Sequence, residues 1–442
     1  MGGFIMIVAK FGGSSLADSS QFKKVYRIMM SNPDRHYVVP SAPGRRFAKD
    51  DKVTDLLLGL YDTVSSGLPI QPVVSRIRDR FSQIIEELGL SISLDDEFAA
   101  ICDNLQKGYS REYCASRGEY LNGIVLAAYL GFDFIDAASV IRFDHHGQLM
   151  EEETCRLLKD ALSRHQRAVI PGFYGSEEDG TVRTFSRGGS DITGALVASA
   201  AEADLYENWT DVPGFCMADP RIVKDAKYIQ SITYRELREL SYMGATVLHE
   251  DAVFPVRRAG IPTNIRSTND PQHPGTMITA SAGIEGVQHT ITGIAGQKGF
   301  SIVYIEKDMM NSELGFGRRV LQAFEEYSIN FEHLPTGIDT MCVVAKEKEL
   351  EPHKDEVIAR IKELVQPDQI SVNDHLALIA TVGRGMVRVF GTAARLFTAI
   401  STRGISIRTI DQGSSEISII VGVDESDFEN SIEAIYDAFV RT

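Results

Sequence analysis

Ten residue pairs in the last third of the chain recur at a constant separation of 76 positions: Gly315/Gly391, Arg319/Arg395, Val320/Leu396, Ala323/Ala399, Phe324/Ile400, Ile329/Ile405, Phe331/Ile407, Gly337/Gly413, Met341/Ile417 and Val343/Ile419. A gap-free period of this length marks two copies of one supersecondary unit, so this part of the chain is an α+β tandem. Each copy reads as an amphipathic helix, an alternating strand, a glycine-containing turn and a second strand, with a further helix at residues 351–365 and 426–439. The second copy stops without a closing strand, while an alternating stretch at residues 289–296 precedes the first copy and has no partner within it. The economical solution is interleaving. Residues 289–296 are expected to complete the sheet of the second unit, 374–442, with the first unit, 299–373, inserted between.

The first half alternates differently. Short β-branched runs at residues 5–10, 37–40, 132–136, 168–171 and 203–206 are separated by helical patterns, the signature of a mostly parallel sheet covered on both faces. Residues 56–128 read as a helical excursion from that sheet, and the proline- and glycine-bearing segment 269–286 as its end. With 45 Lys and Arg against 61 Asp and Glu, a balance of −16, nucleic acid and anionic lipid are disfavoured as main partners. The longest apolar stretch, Ile124 to Leu130, is too short to span a bilayer, and the start does not read as a signal peptide, so a cytoplasmic protein is expected. Five cysteines without a CxxC pair signal neither a disulfide framework nor a zinc site, and no resident metal ligands are expected.

Two motifs carry chemistry. Lys10-Phe11-Gly12-Gly13-Ser14-Ser15 follows an apolar strand and enters a helix; its glycines let backbone N–H groups approach a phosphate, while Lys10 supplies a mobile cation. A plain tight turn has the same local pattern. Arg187-Gly188-Gly189-Ser190-Asp191 likewise enters a helix, where Ser190 or Asp191 can act as a simple N-cap.

Together with Lys52-Val53-Thr54-Asp55, Arg117-Gly118-Glu119, Trp209-Thr210-Asp211-Val212-Pro213-Gly214, Asp219-Pro220-Arg221, Gly244-Ala245-Thr246-Val247-Leu248-His249 and the doubled C-terminal unit, these motifs make the whole chain resemble the aspartate kinases of the amino-acid kinase superfamily. The resemblance implies a carbamate-kinase-like α/β/α sandwich over residues 1–285, then two ferredoxin-like βαββαβ ACT domains. It implies transfer of a phosphoryl group from ATP, with Mg²⁺, to the β-carboxylate of L-aspartate, the first step of lysine, threonine and methionine biosynthesis, in a monofunctional enzyme. It further implies Lys10 and Asp191 as catalytic residues, and Thr54, Glu119 and Arg187 as aspartate ligands. Gly12, Gly13, Ser14, Thr210, Asp211 and Arg221 would hold the nucleotide. These roles suit the residue types: a guanidinium clamps a carboxylate, a carboxylate receives an ammonium, and phosphoryl transfer asks for positioning and charge stabilisation.

The resemblance also places an effector pocket in the first ACT unit, with Met310, Ser312 and Phe316 opening it and Glu332, Thr336 and Asp339 across adjacent strands. The expected effector is lysine, with threonine second, and the expected assembly a homodimer or dimer of dimers through the ACT units. Two positions depart from the family pattern: Thr246 stands where a lysine is common, and Cys216 follows Phe215 where a tyrosine is common, which leaves Lys224 or Lys227 to supply charge at the nucleotide. His249 reads as structural, and Trp209, the single tryptophan, as core. Competing readings are a kinase acting on another amino acid and a catalytically impaired ACT-domain sensor.

Overall fold

Five consecutive buried residues, Ile7–Phe11, form strand β1 at the centre of a parallel sheet. The remaining strands of that sheet are β2 (Arg35–Pro40), β3 (Asp133–Phe134), β4 (Ala168–Val169), β7 (Leu205–Thr210), β8 (Ser231–Thr233), β9 (Thr263–Ser267) and β10 (Thr276–Thr279); β5 (Tyr174–Ser176) and β6 (Val182–Thr184) form a separate hairpin. The order is β3-β4-β2-β1-β7-β9-β10-β8, and β9–β10 is its one antiparallel pair. Chain order reverses at β1, where β2 lies on one side and β7 on the other. Ligands of open α/β sheets bind at such a switch point, beyond the carboxyl ends of the strands.

In a computed structural model of the chain, residues 5–245, 253–280, 290–413 and 415–441 are described. They divide into two compact units, Met1–Phe215 with Tyr228–Tyr234 and Thr246–Ala282, and Cys216–Lys227 with Arg235–Ala245 and Gly283–Thr442. The second unit thus takes in two segments that precede the 269–286 boundary read from the sequence. Hydrogen bonds explain this: Ile294 N donates to Met217 O at 2.7 Å, Lys227 N to Tyr436 Oη at 2.9 Å, and Arg384 Nη1 meets Glu236 Oε2 at 2.7 Å. Among the described residues no helix is long and apolar enough to cross a membrane.

Register assigns the two faces of the central strands. Lys10 lies opposite Asn208 and Phe11 opposite Trp209, so the polar pair points to one face and the stacked aromatic pair, with centroids 6.0 Å apart, to the other. On the aromatic face Glu207 is 2% exposed and holds the Arg35 fork at 2.7 and 3.0 Å, Arg266 at 3.3 Å and the Trp209 indole N–H at 2.9 Å. Both guanidinium groups stack on Trp209, so one buried carboxylate and one indole fasten β2, β7 and β9.

In the second unit β11 (Gly293–Glu306), β12 (Phe331–His333), β13 (Thr340–Lys346), β14 (Gln369–Val382), β15 (Thr409–Asp411) and β16 (Ser418–Asp424) form one antiparallel sheet in the order β12-β13-β11-β14-β16-β15. β11 starts at Gly293, later than the sequence reading, and continues to Glu306 through irregularities between Lys298 and Ile302. Residues 293–298 pair with 377–382, and residues 300–306 pair with β13. β16 pairs with residues 376–382. The 76-residue period survives in the backbone. Gly315 and Gly391 both have φ of 79°, a conformation that L side chains rarely adopt, and they precede helices Phe316–Glu326 and Thr392–Thr402.

Removing one partner of a buried charge network leaves the others uncompensated. Glu207→Ala should therefore lower the unfolding free energy in urea by about 3–5 kcal/mol. A loss below about 1 kcal/mol would mean that Arg35 and Arg266 find other partners.

Candidate active site

Lys10, at the carboxyl end of β1, is buried, and its Nζ lies 2.5 Å from Asp191 Oδ1. Asp191 sits in the first turn of helix Gly189–Ala200, near the positive end of the helix dipole. It is not the helix cap: Gly188 holds that position and no side chain caps it. Asn208, the β7 neighbour of Lys10, bridges the pair. It donates from Nδ2 to Asp191 Oδ1 at 2.8 Å and accepts from Lys10 at 3.4 Å. Sequence reading passed over this asparagine, although a buried amide in a parallel strand beside the Trp209-Thr210-Asp211 motif is a signal.

Two loops meet beside the lysine. Gly44 N donates to Gly13 O at 2.8 Å, and a Cβ on Gly44 would stand 2.6 Å from the Gly13 carbonyl carbon. No larger residue fits there without moving backbone. Gly12 N is held by Trp209 O at 3.0 Å, while Ser14 stays exposed. A loop built this way is set by its neighbours' main chain.

Glu119 lies on helix Arg111–Leu130 and receives a hydrogen bond from the backbone of Ala42; its Oε2 is buried without a partner among the described residues. Burial pushes its carboxyl up to about 8, only partly opposed by backbone hydrogen bonds, that from Ala42 first, and by Arg117. One turn on, Asn122 holds Ser41 O at 2.6 Å. Arg117 is enclosed by the rings of Tyr113, Tyr120 and Tyr174 at 4.6, 4.5 and 5.2 Å. Thr54 is half-buried in the first turn of helix Val53–Ser65, and Arg187 is exposed with no ion pair among the described residues. Phe173, in the loop after β4, has φ of 79° and donates its N–H to Thr193 Oγ1, backbone strain of the kind that gathers at functional sites.

The remaining nucleotide candidates separate. Thr210 donates to Asp211 at 3.2 Å in the first unit, whereas Arg221 belongs to the second, forked onto Asp219 at 2.6 and 3.0 Å. Lys224 is exposed, Lys227 reaches Val440 O at 3.3 Å, and burial pushes the Cys216 thiol up. Thr246 and His249 lie outside the described residues. Trp209 is core, as its residue type suggested.

Of the effector candidates, Met310 and Phe316 have their side chains in the apolar core of the second unit with Val320, Phe324 and Met341. Phe316 begins the stripe continued by Val320, Ala323 and Phe324, so helical packing claims it, and these two residues offer a ligand only backbone. Ser312 is exposed, Thr336 bonds Leu334 O at 3.0 Å, and Asp339 accepts from Met309 N at 2.9 Å. Glu332 meets Lys346 at 3.4 Å and the Tyr242 hydroxyl.

Comparison with known proteins gives the family. The profile of the amino acid kinase family matches residues 6–267, and that of an ACT domain residues 379–439. Aspartokinase 3 of Bacillus subtilis is 38% identical over 450 residues, covering 98% of each chain. The chain belongs to the aspartokinase family. Among structures of the family, the aspartate kinase of Clostridium acetobutylicum is similar at 49% identity and a TM-score of 0.90, over 98% of this chain and all of the other. Aspartokinase III of E. coli, in complex with lysine and aspartate in its T state, is similar at 25% identity and a TM-score of 0.72, over 98% and 99% of the two chains.

The position of Glu119 has a thermodynamic signature. Its folded-state value, about 8, lies above the ordinary 4.5, so between these values the folded state holds one proton more than the unfolded chain. Stability should then fall as pH rises through that window, by about 1.4 kcal/mol per pH unit, and level off above it. Glu119→Gln should flatten the urea-stability profile between pH 5 and 8 and be the more stable protein at pH 8. A slope equal to the parent's would show Glu119 ionised throughout.

Proposed function

We propose that the chain transfers the γ-phosphoryl group of ATP to the β-carboxylate of L-aspartate. The observation that carries this reading is the Lys10–Asp191–Asn208 triad beside the Gly12–Gly13 loop, one loop away from the buried, half-satisfied Glu119. An ionised carboxylate is already a nucleophile, so the site needs no general base; it needs charge neutralisation and alignment. Lys10 is held back by Asp191 until a phosphate competes for it, and then follows the charge of the transferring group. Asp191 and Asn208 return the ammonium to its place. Glu119, which burial keeps protonated in the free site, gives up that proton to solvent as it receives the substrate ammonium, and Arg187 takes the α-carboxylate, with Thr54 at the start of its helix as a hydroxyl partner. Gly12, Gly13, Ser14, Thr210 and Asp211 line the nucleotide side.

Mg²⁺ favours phosphate oxygens, water and one or two carboxylates, which suits an ion carried by ATP with the exposed Asp211 at hand. When bound, it would offset phosphate charge.

Residues 1–285 act as the catalytic domain, 299–373 as the first ACT domain and 374–442 as the second, completed by the strand that precedes the first. The enzyme works in the cytoplasm as a homodimer or dimer of dimers joined through its ACT domains. Lysine, which the E. coli relative binds, is the first effector to test and threonine the second. It would sit at the loop of Ser312, near Asp339 and Thr336, whereas Glu332 bonds Lys346 at the other end of β13. Inhibition requires that lysine prefer one state of the assembly.

A coupled ADP-release assay should show turnover with L-aspartate and little with L-glutamate; the reverse would mark a kinase of another amino acid. In the same assay Lys10→Ala should lower kcat at least a hundredfold with the aspartate KM within about threefold, because its charge serves the transferring group. Arg187→Ala should instead raise the aspartate KM. Asp339→Ala should leave uninhibited turnover near normal and raise the half-inhibitory lysine concentration at least about tenfold, on the basis of lost charge pairing. Insensitivity of the parent to millimolar lysine and threonine would reassign the tandem as a dimerisation module.

A further inference from the structure

Arg80 lies in the middle of helix Gln71–Glu87, within the helical excursion and far in sequence from every residue of the candidate site. It is 6% exposed. Its Nη2 donates to two main-chain carbonyls, Ala17 O at 2.9 Å and Gly44 O at 2.7 Å, and its Nη1 donates to Asp50 Oδ2 at 2.6 Å. Ala17 closes the turn that follows Gly12–Ser14, and Gly44 is the residue whose backbone abuts Gly13. One guanidinium therefore ties both halves of the glycine platform from behind. Asp50 is held from its other side by Arg46, at 2.9 Å from both Nε and Nη2, so the anchor is itself anchored. A second tie joins the same helix to the loop's end, from Ser19 Oγ to Glu87 at 2.5 Å.

We infer that Arg80 is a positioning residue for phosphoryl transfer: it fixes the Gly12–Ser14 loop against the Gly44 loop so that the loop's N–H groups keep their aim. Burying a guanidinium is costly, and stability alone is served as well by an apolar side chain of similar volume. What an apolar residue cannot supply is a planar fork that reaches two carbonyls and a carboxylate in fixed directions. The inference rests on the reading of Gly12–Ser14 as the phosphate loop.

The test is kinetic, on the full chain. Arg80→Ala enlarges a cavity of about 220 Å³ lined by Arg46, Asp50, Asp51, Arg76, Arg80 and Gln83, which leaves room for a free guanidinium ion. The expected result is a fall in kcat of at least tenfold with the aspartate KM within threefold, and recovery of at least fivefold in kcat with millimolar guanidinium well below denaturing concentrations. Arg76→Ala, which removes an exposed pair with Asp51, should show neither loss nor recovery. If Arg80→Ala does not fold, Arg80→Lys decides: it keeps the charge but cannot reach all three acceptors, and kcat should fall while the aspartate KM holds. A folded variant with parental kcat, or a loss that moves kcat and aspartate KM together and ignores guanidinium, overturns the inference. A parent enzyme that releases no ADP with aspartate would instead overturn the functional reading beneath it.

Discussion

The parallel register of β1 against β7 is the constraint on which the rest of the catalytic unit depends. Because side chains alternate along a strand, setting Ala9 opposite Glu207 and Lys10 opposite Asn208 sorts four polar or aromatic residues in a single step. Glu207 and Trp209 fall on the face where Arg35 and Arg266 wait, and Lys10 and Asn208 fall on the face under the helix that carries Asp191. A slip of one residue in β1 would bury Lys10 among aromatic rings, and a slip in β7 would turn Glu207 towards the Gly12–Gly13 loop. The structural ion network and the reactive one are thus two sides of the same ladder, and neither can be repacked without the other.

How much of this was legible in the sequence depends on what kind of partner a residue has. Lys10 and Asp191 lie far apart in the chain, yet both stand in glycine-bearing strand-to-helix turns, so local pattern and family resemblance found them. The repeat was legible because glycine at 315 and 391 answers a backbone demand that no other residue meets cheaply. Asn208 was missed because a single polar residue in a buried strand carries no periodic signal, and only its place beside the Trp209-Thr210-Asp211 motif marks it. Arg80 could not have been found at all, since its acceptors are mostly main-chain carbonyls and any sequence supplies those. Met310 and Phe316 show the opposite case: resemblance singled them out for a ligand, while both side chains lie in the core, Phe316 as the start of a helical stripe continued by Val320, Ala323 and Phe324.

The second unit owes its unity to strands that serve two repeats at once. β11 and β14 are each 14 residues long, and along their length they change neighbours, from β16 on one side of the pair to β13 on the other. The irregularities near Gly299 let each half follow its own twist. His333 and Asp411, one from each repeat, also meet at 2.6 Å, so the repeats share a polar contact besides the common sheet.

This sharing has a consequence for the chain as it leaves the ribosome. Residues 293–298 emerge first, but the strand segment that they pair with, 377–382, follows only about 80 residues later. At roughly 5 to 20 residues per second, that interval lasts on the order of 4 to 16 seconds. By the end of it, the first half of β11 is still an unpaired edge, now joined to a repeat that has most of its own partners, the kind of exposed template that invites pairing with a neighbouring nascent chain. Two devices blunt it. Gly296 and Gly299 lower its affinity for a stray strand, and Lys298 places a charge at its end. Translation speed over the first repeat is therefore a variable in how cleanly this protein matures, independent of the stability it finally reaches.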